Sequence, residues 1–326
     1  MWEGRLPEGN ETFRSLVSQA SRIPAIGEDF YLVPNKGTDK FYAKLKANGI
    51  SDEKIFTTVA SAYTNLTSGS GDTLYVCPGS YAQTSSLTWA KHYTNLIGLS
   101  APVQVNTRAR ITSTTAALSP LITWSANGCV VKDVLFSQEG SHATTAAICG
   151  YVTGARNYFE GVTFRNLGAL AVVDNSCRGL KLASSDGENY FKKCTIGADT
   201  VDGVTATNYV IEFANTNQGN QRQIFDECVI LGNGTANSSF VLASALKCID
   251  GAWVMFKRCL FSNPMAGDYD QMTQAFSLST DCNGVIHFMD NLVYGAATFE
   301  TSNSGVLIGR DAYAAATTDS GVALTF

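Results

Sequence analysis

The chain has 326 residues, of which 16% are charged and 45% hydrophobic, and its formal net charge is −5. A disordered chain would carry fewer apolar residues and more net charge, and the scattered Lys and Arg residues form no basic stripe that would indicate a nucleic-acid partner. No apolar run approaches the roughly 20 residues that a membrane span needs. We therefore expect one long globular domain with many turns, for which the chain supplies 29 Gly.

The first segment, residues 1–50, shows no sustained strand alternation and is predicted to be an N-terminal arm. Its beginning, "MWEGRLPEGN", lacks the basic start and apolar core of a secretory leader, so we expect no signal peptide and synthesis in a reducing cytoplasm. The arm has two interpretations. It could lie as a strap along its own chain, or it could dock onto a neighbouring subunit, with Trp2 and Phe13 as interface candidates.

Residues 51–68 predict an amphipathic helix. Ser51 is a suitable N-cap and two acids follow in the first turn. Apolar residues then recur at helical spacing, at Ile55, Phe56, Val59, Ala62, Tyr63 and Leu66. We expect this helix to cap the first coil of a repeated β structure, because an uncovered first coil would be an open sheet edge.

From residue 69 onwards the chain reads as short β segments, and one six-residue phrase recurs in it. The copies are "VKDVLF" from Val131, "FEGVTF" from Phe159, "FKKCTI" from Phe191, "FDECVI" from Phe225, "FKRCLF" from Phe256 and "FMDNLV" from Phe288. Their starts are separated by 28, 32, 34, 31 and 32 residues. Self-similarity at this period is typical of a repeat protein.

The pattern inside each block favours strands over helices. Its first, fourth and sixth positions are apolar or small, whereas the others are mostly polar, which describes a corner that leads into a short strand. A second β-rich segment precedes the corner, as in "YVIEFANT" from Tyr209, and no helix recurs between units. The sequence thus predicts an all-β fold, a parallel β-helix formed by a single chain over residues 69–326, with a C-terminal closing segment.

The inward positions predict a stacked interior. Coils of a β-solenoid lie about 4.8 Å apart, so equivalent residues should form columns. The predicted structural ladder comprises Phe159, Phe191, Phe225, Phe256 and Phe288, together with Cys194, Cys228 and Cys259. We interpret these cysteines as buried free thiols. A zinc site is the alternative, but the chain has no C-x-x-C pair and its histidines, His92, His142 and His287, are scattered, so we expect no metal and no cofactor.

The outward positions carry charges that alternate in sign from one coil to the next. The second position of successive blocks reads Lys132, Glu160, Lys192, Asp226, Lys257 and Met289, and the third reads Asp133, Gly161, Lys193, Glu227, Arg258 and Asp290. Opposite charges on adjacent strands stabilise their pairing and like charges destabilise it. We interpret these columns as register control on a solvated face, because an enzyme would gather carboxylates there instead of mixing them with cations.

The opening strands resemble a known family. The pair Gly71-Asp72, the strand from Leu74 to Val76, Pro78-Gly79, Tyr81 and Leu96-Ile97-Gly98, followed by the repeated coils, look like the start of pectate-lyase-like right-handed parallel β-helices, particularly those of bacteriophage virions. The resemblance covers about residues 30 to 310. It implies a right-handed coil, a virion setting and, as in similar phage β-helices, a trimer.

The resemblance carries no catalytic residue to this chain. Polygalacturonase-like members have adjacent aspartates, a Gly-His-Gly triplet and an Arg-Ile-Lys triplet, and pectate lyases have an Asp-His step and an Arg-x-Pro-x-x-Arg segment. This sequence contains none of these motifs. Acid pairs in Gly-rich loops are the remaining candidates for glycoside cleavage, although such acids commonly cap turns. They are Asp186 with Glu188, Asp199 with Asp202, and Asp268 with Asp270, beside which Tyr269 offers an aromatic surface.

Three functions are compatible with these features. The favoured one is a non-enzymatic structural protein of a bacteriophage virion, either a capsid-surface decoration or cement protein or a fibre component. Its expected partners are further copies of the chain and other virion proteins, such as the major capsid protein. The alternatives are a tailspike-like polysaccharide depolymerase or lyase, and a glycan-binding module without turnover.

Overall fold

The structure is a computed structural model, and it describes the greater part of the chain. The described residues are 26–115, 118–140, 147–166, 177–184, 187–198, 209–214, 222–232, 238–243, 253–264, 271–279, 283–300 and 305–310. The predicted interface candidates Trp2 and Phe13 lie outside these ranges.

The N-terminal part contains two short strands and two helices. Strand β1 (Asp29–Leu32) is followed by α1 (Lys40–Ala47), then by a 3-10 turn (Asp52–Lys54), β2 (Ile55–Phe56) and α2 (Val59–Asn65). Strand β1 pairs in parallel with both β2 and β3.

The remaining strands are short and follow one another closely. In chain order they are β3 (Thr73–Val76), β4 (Gly79–Ala82), β5 (Leu87–Trp89), β6 (Asn95–Gly98), β7 (Ala109–Ser113), β8 (Ile122–Trp124), β9 (Val130–Lys132), β10 (Leu135–Gln138), β11 (Ile148–Val152), β12 (Tyr158–Glu160), β13 (Thr163–Asn166), β14 (Arg178–Leu182), β15 (Tyr190–Lys192), β16 (Thr195–Gly197), β17 (Tyr209–Phe213), β18 (Gln223–Asp226), β19 (Val229–Leu231), β20 (Ser239–Ala243), β21 (Trp253–Lys257), β22 (Leu260–Ser262), β23 (Met272–Leu278), β24 (Asn283–Met289), β25 (Leu292–Tyr294), β26 (Ala296–Glu300) and β27 (Gly305–Arg310).

These strands form three parallel sheets, and each coil contributes one strand to each sheet. The first sheet has eleven strands in the order β2-β1-β3-β6-β9-β12-β15-β18-β21-β24-β27. The second sheet has eight, from β4 to β25, and the third has eight, from β5 to β26, in both cases every third strand of the chain. A strand therefore pairs with the strand one coil later, as β12 pairs with β15 through Phe159 and Phe191. The architecture is the parallel β-helix that the sequence predicts.

The interior is a set of columns that run along the coil axis. The rings of Phe159, Phe191, Phe225 and Phe256 stack with successive centroid distances of 4.8 Å, and all four side chains are fully buried. Phe288 continues the column at 6.4 Å with a tilted ring. The common spacing equals the separation of paired strands, because each ring stands on the same position of the next coil.

The predicted cysteine column lies beside the rings. The thiols of Cys194, Cys228 and Cys259 donate to the carbonyl oxygens of Phe159, Phe191 and Phe225, one coil earlier, at 3.3 to 3.5 Å. Among the described residues, seven cysteines are free and buried. Burial raises the pKa of the Cys228 thiol well above its usual value, so Cys228 remains a neutral thiol.

The corner between the first and second sheets has a left-handed residue in every repeated block. The third position has positive φ at Asp133, Lys193, Glu227, Arg258 and Asp290, with values of 51° to 56°, and at Gly161, with 63°. A non-glycine residue rarely adopts this conformation. Its recurrence fixes the direction in which the chain leaves each strand of the first sheet.

A second corner, between the third and first sheets, holds buried asparagines. Asn189 Oδ1 accepts from the backbone N–H of Asn157 at 3.0 Å and from its Nδ2 at 3.1 Å. Asn189 Nδ2 in turn donates to the Gly154 carbonyl at 3.0 Å. Both side chains are buried, so these bonds satisfy backbone groups that water cannot reach.

The predicted N-terminal elements need correction. Residues 51–68 are not one helix: the 3-10 turn and strand β2 precede α2, which spans seven residues and has Thr58 as its N-cap. Ile55 pairs with Tyr31 of β1 and is fully buried, and β-branched residues at 55 and 57–59 disfavour continuous helix. The predicted arm also ends earlier than residue 50, because β1 belongs to the first sheet.

Helix α2 nevertheless covers the N-terminal end of the interior. Its Val59 and Ala62 are buried in the same apolar cluster as the phenylalanine column. The ring of Tyr63 lies 5.0 Å from that of Trp89, which stacks on Trp124 at 4.8 Å.

One connection crosses several coils on the outside of the second sheet. This crossing loop, residues 100–108, joins β6 to β7. The Gln104 carbonyl accepts from Thr163 Oγ1 at 3.4 Å and from Thr195 Oγ1, and Gln104 Nε2 lies 3.5 Å from the Glu227 carbonyl. Both threonines are buried beneath it.

Neither helix of the described residues has the length and apolarity that a membrane span requires.

Candidate functional site

The outer face of the first sheet changes character along the axis. At its N-terminal end it is covered by α1, whose N-cap Asp39 accepts from the backbone N–H groups of Phe41 at 2.7 Å and Tyr42 at 3.2 Å. The covered cluster is apolar and comprises Tyr31, Val33, Leu45, Ile50, Ile55, Tyr75, Cys77 and Ile97. Beyond β6 the outward residues become aromatic and charged. This open part, from β9 to β24, is the candidate site.

Two tyrosines form an aromatic surface in the open part. Tyr158 and Tyr190 occupy the same outward position of β12 and β15, are half-buried, and have ring centroids 5.5 Å apart. Trp253 lies at an outward position of β21, edge-on to His287 at 6.0 Å. Aromatic rings in line at the strand spacing present a surface on which planar or ring-shaped ligands can stack.

The acids of the open part are bound by neighbours from adjacent coils. Glu160 pairs with Lys132 Nζ at 3.0 Å. Asp226 accepts from Tyr190 Oη at 2.7 Å and from Arg258 Nη2 at 2.6 Å. Burial by itself would raise the pKa of both carboxyls, but these hydrogen bonds and charges outweigh it and hold the pKa of Glu160 and of Asp226 below the usual values. Both acids are therefore held as carboxylates.

The third-position column adds further ion pairs. Glu227 lies 3.6 Å from Lys193 Nζ and 3.0 Å from Arg258 Nη2. Several of the alternating charges of the sequence therefore lie within ion-pair distance of a charge on an adjacent coil.

Asp133 differs from the other acids. Its pKa is raised to about 6, chiefly by burial; Lys132 opposes this shift, and the nearby Glu160 carboxylate adds to it. Its position depends on Gly161, because a Cβ at that residue would lie 2.4 Å from Asp133 Oδ1. Asp133 and Glu160 are therefore a carboxyl pair whose pKa values are shifted in opposite directions, a feature common at acid–base sites.

Sequence reasoning did not select Asp133 as a candidate acid, although the signal was present. The two acids occupy the third position of one block and the second of the next, and Gly161 takes the place of a charged residue after Asp133 in the third-position column. The alternating-charge pattern led to a purely structural interpretation.

Two further ion-pair clusters were also missed. At the second corner, Glu188 lies between Arg156, at 2.8 Å, and Arg222, at 2.5 Å, in successive coils. On the third sheet, Glu212 pairs with Arg178 at 2.8 Å, and both are buried. The Arg178 guanidinium lies 4.4 Å from the centre of the Tyr209 ring. The partners within each cluster are about 30 residues apart in sequence. These ion pairs therefore become evident only when the register of adjacent coils is known.

The acids selected from the sequence are placed as follows. Glu188 has positive φ, 61°, and belongs to the ion-pair column just described. Asp186, Asp199, Asp202, Asp268 and Asp270 lie outside the described residues. The strands that flank the last two pairs are described: β16 and β22 belong to the second sheet, and β17 and β23 belong to the third.

In the described ranges, no group of three or more His, Cys, Asp or Glu residues is arranged to hold a metal ion.

The chain is similar to several solved structures. A pectin methylesterase in complex with a hexasaccharide has a TM-score of 0.55 and 14% sequence identity, covering 90% of this chain and 93% of that chain. Pectate lyase Pel9A has a TM-score of 0.52 and 12% identity, covering 89% of this chain and 77% of that chain. ORF18 of Geobacillus virus E2 has a TM-score of 0.46 and 15% identity, covering 93% and 55%.

The sequence comparisons have a different outcome. No protein-family model matches the chain, and no curated protein matches it. The pectin methylesterase and pectate lyase similarities show the fold, which is a right-handed parallel β-helix. They confirm the fold class predicted from the repeats.

Proposed function

We propose that this chain is a non-enzymatic structural protein of a bacteriophage virion, acting as a decoration or cement protein on the capsid surface or as a fibre component. The observation that carries the proposal is that acids on the outer face of the first sheet are paired with basic side chains. Glu160, Asp226 and Glu227 are bound by Lys or Arg side chains from adjacent coils. Charges arranged in this way stabilise one register of the stacked strands.

The architecture suits such a role mechanically. Each coil satisfies its backbone hydrogen bonds with the coils above and below, and the interior columns are fully buried. A rod held together over its whole length has few segments that open locally. Resistance to local unfolding is valuable in a particle that must persist outside a cell.

The virion setting is supported by the resemblance of the opening strands to phage β-helices. On that basis we propose localisation in the virion, association with further copies of the chain, and contact with another virion protein such as the major capsid protein. The resemblance implies a trimer, whereas the outer face of the second sheet favours a pair of copies, and the mass of the protein in solution decides between the two.

Copy number in purified particles tests this proposal. Quantitative mass spectrometry of virions is expected to find the chain at a fixed ratio to the major capsid protein. A decoration protein should be present in numbers comparable to the capsid subunits, whereas a fibre component should match the fibre number. Absence of the chain from washed particles would contradict a structural role in the virion.

A second candidate function is the binding or cleavage of host-surface polysaccharide, as in tailspike-like proteins. It is favoured by the aromatic surface of Tyr158 and Tyr190 and by the oppositely shifted acids Asp133 and Glu160 beside it. In such a reaction the protonated Asp133 would serve as general acid and the Glu160 carboxylate as base or nucleophile.

Released sugar ends separate the two functions. Purified protein is incubated with host capsule or lipopolysaccharide, and reducing and unsaturated ends are measured. A structural protein gives none, whereas a depolymerase gives ends that disappear in Asp133→Asn. If binding occurs without release, Tyr158→Ala with Tyr190→Ala should abolish it, and the matched change Tyr93→Ala, at an exposed tyrosine of another corner, should not.

A further inference from the structure

The outer face of the second sheet carries a row of equivalent residues along the axis. Strand pairing aligns one outward position of β10, β13, β16, β19, β22 and β25. The residues at this position are Leu135, Thr163, Thr195, Val229, Leu260 and Leu292. We refer to the last three, Val229, Leu260 and Leu292, as the lateral row.

The crossing loop separates this row into two parts. It lies over Thr163 and Thr195, which are each 1% exposed and whose hydroxyls donate to the Gln104 carbonyl. Further along the axis, Gln104 Nε2 lies 3.5 Å from the Glu227 carbonyl, at the corner between β18 and β19. From β19 onwards the row changes from threonine to aliphatic residues.

The part beyond the loop is apolar and open to solvent. Leu292 is 64% exposed and the neighbouring Tyr294 is 55% exposed, while Val229 and Leu260 are half-buried. At the opposite end, the crossing loop itself exposes Val103 (47%) and Val105 (48%), on either side of Gln104. Four of the exposed large apolar side chains therefore stand in two pairs at the two ends of this surface, with the half-buried Val229 and Leu260 between them.

The charges that border the lateral row are arranged symmetrically. The third-position column reads Lys193, Glu227, Arg258 and Asp290 along the axis, that is plus, minus, plus, minus. Reversing the direction gives minus, plus, minus, plus. When the column faces its own reversed copy, Lys193 meets Asp290 and Glu227 meets Arg258, so every position faces an opposite charge.

We propose that the lateral row is the contact surface between two copies of this chain, whose rods lie antiparallel about a twofold axis at the level between β19 and β22. Val229 of one copy then faces Leu260 of the other. At each end, Leu292 and Tyr294 of one copy pack against the exposed Val103 and Val105 of its partner. A twofold contact requires a self-complementary surface, and this surface is complementary in both apolar residues and charges.

The antiparallel arrangement follows from the ends of the surface. The two exposed apolar pairs lie at opposite ends of it, one on the crossing loop and one on β25, and only reversal brings unlike ends together. In a parallel arrangement at the same level, each exposed pair would face its own equivalent, as would each charge. The pairing concerns how copies associate and holds whether or not the chain is part of a virion.

Solution mass is the first test. Light scattering during gel filtration of the full chain is expected to give about 70 kDa, twice the 34.8 kDa of one chain. Leu292→Asp should weaken dimerisation about tenfold or more. The matched control Tyr93→Asn removes an exposed aromatic at a different corner and should leave the dimer intact. A monomer, a trimer, or a dimer unaffected by Leu292→Asp would each overturn the proposal.

Cross-linking tests the orientation. The single variants Val103→Cys and Tyr294→Cys are purified, mixed and mildly oxidised. The antiparallel pair is expected to give a disulfide-linked dimer from the mixture that neither variant gives in the same yield by itself. The antiparallel arrangement would be contradicted if Tyr93→Cys, in place of Tyr294→Cys, gave an equal yield of linked dimer. It would also be contradicted if disulfide links formed only within each variant and not between the two. The seven described native cysteines are buried, and the wild-type chain gives the background.

Charge reversal provides an independent check of the same geometry. Lys193→Glu and Asp290→Lys should each weaken dimerisation, because each places like charges opposite one another. The double variant should restore the dimer, since the two residues then face each other with exchanged signs. Failure of the double variant to recover over the two single variants would contradict the reversed pairing. Circular dichroism of every variant checks that the fold is retained.

Discussion

The two sides of the first sheet share one register but are held together in different ways. On the inside, Phe159, Phe191, Phe225 and Phe256 stack at 4.8 Å and are fully buried. On the outside, charged side chains from adjacent coils pair at 2.6 to 3.6 Å and remain partly exposed. Burial of apolar surface stabilises strongly, whereas exposed ion pairs contribute little to the free energy of unfolding. Cross-strand pairs of opposite charge favour the observed register over one that brings like charges together.

The largest effect on stability is expected from a substitution in the interior phenylalanine column. Phe225→Ala should lower the free energy of unfolding by about 3 to 5 kcal/mol, because it removes a fully buried ring from the middle of the column and leaves a cavity. Ile224→Ala, one residue earlier and half-buried on the outer side, is the matched control and should cost far less. Denaturant unfolding of both variants measures the difference. Equal losses would show that the two sides do not differ in the way described.

The buried asparagines of the second corner are expected to rank next. Asn189→Ala leaves the Asn157 N–H and the Gly154 carbonyl without their partners, which should cost about 2 to 3 kcal/mol. Asn65→Ala, which removes an exposed helical asparagine that bonds only the Ser61 carbonyl in the described structure, serves as the comparison. If Asn189→Ala lowers thermal stability no more than Asn65→Ala does, the hydrogen bonds of the buried asparagines contribute little to stability.

On the outer side of the first sheet, we expect Asp133 to make the stability of the fold depend on pH. Asp133 has a folded-state pKa of about 6 against an ordinary 3.8, so the folded chain binds this proton more tightly than the unfolded chain. This contribution to stability is therefore lost as the pH rises from about 4 to about 6. Asp133→Asn keeps a residue that tolerates positive φ and should raise stability at pH 7 by about 1 to 2 kcal/mol.

The control for Asp133→Asn is the pH profile itself. Unfolding measured at several pH values should show a shallower slope between pH 4 and 6 in the variant than in the wild type, with little difference near pH 4. An unchanged slope would mean that Asp133 does not retain its proton in the folded chain.

The smallest effect is expected at Gln223, which takes the place of the buried asparagines in the next coil of the second corner. Gln223 is fully buried next in line after Asn189, and its amide nitrogen and oxygen have no hydrogen-bond partner among the residues that the structure describes. Gln223→Asn gives this position the side chain of Asn157 and Asn189. The hydrogen bonds that it gains should stabilise the fold by more than the loss of one buried methylene costs, so we expect the free energy of unfolding to rise by about 1 kcal/mol. Arg222→Ala, on the exposed neighbour, should change thermal stability less. Destabilisation by Gln223→Asn would argue that side-chain length there is set by packing.

Much of the fold could be read from the sequence because a coil repeats. The six-residue blocks identify the inward phenylalanines and cysteines and the outward charges, since each strand alternates its faces. The left-handed third position was not predicted, because Asp133, Lys193 and Glu227 have side chains that give no sign of positive φ. Helix α1 and strand β1 were missed because a single short element has no repeat to support it.

The candidate site was harder to predict than the fold. Asp133 and Glu160 each look like ordinary members of a charge column, and only burial together with the space left by Gly161 separates their pKa values. The ion pair of Arg178 and Glu212 joins residues 34 positions apart. Electrostatic environments of this kind depend on which side chains surround a group, which a spacing pattern does not contain.

The sequence by itself determined the coil period, the residues of the interior columns and the alternation of charge, because these follow from local alternation repeated at a fixed spacing. The tertiary structure decided which surfaces are covered. It placed α1 over the beginning of the first sheet and the crossing loop over Thr163 and Thr195, and it left Leu292 and Tyr294 in solvent. The physical reason is that coverage depends on where irregular segments pack across several coils, and those segments carry no repeat.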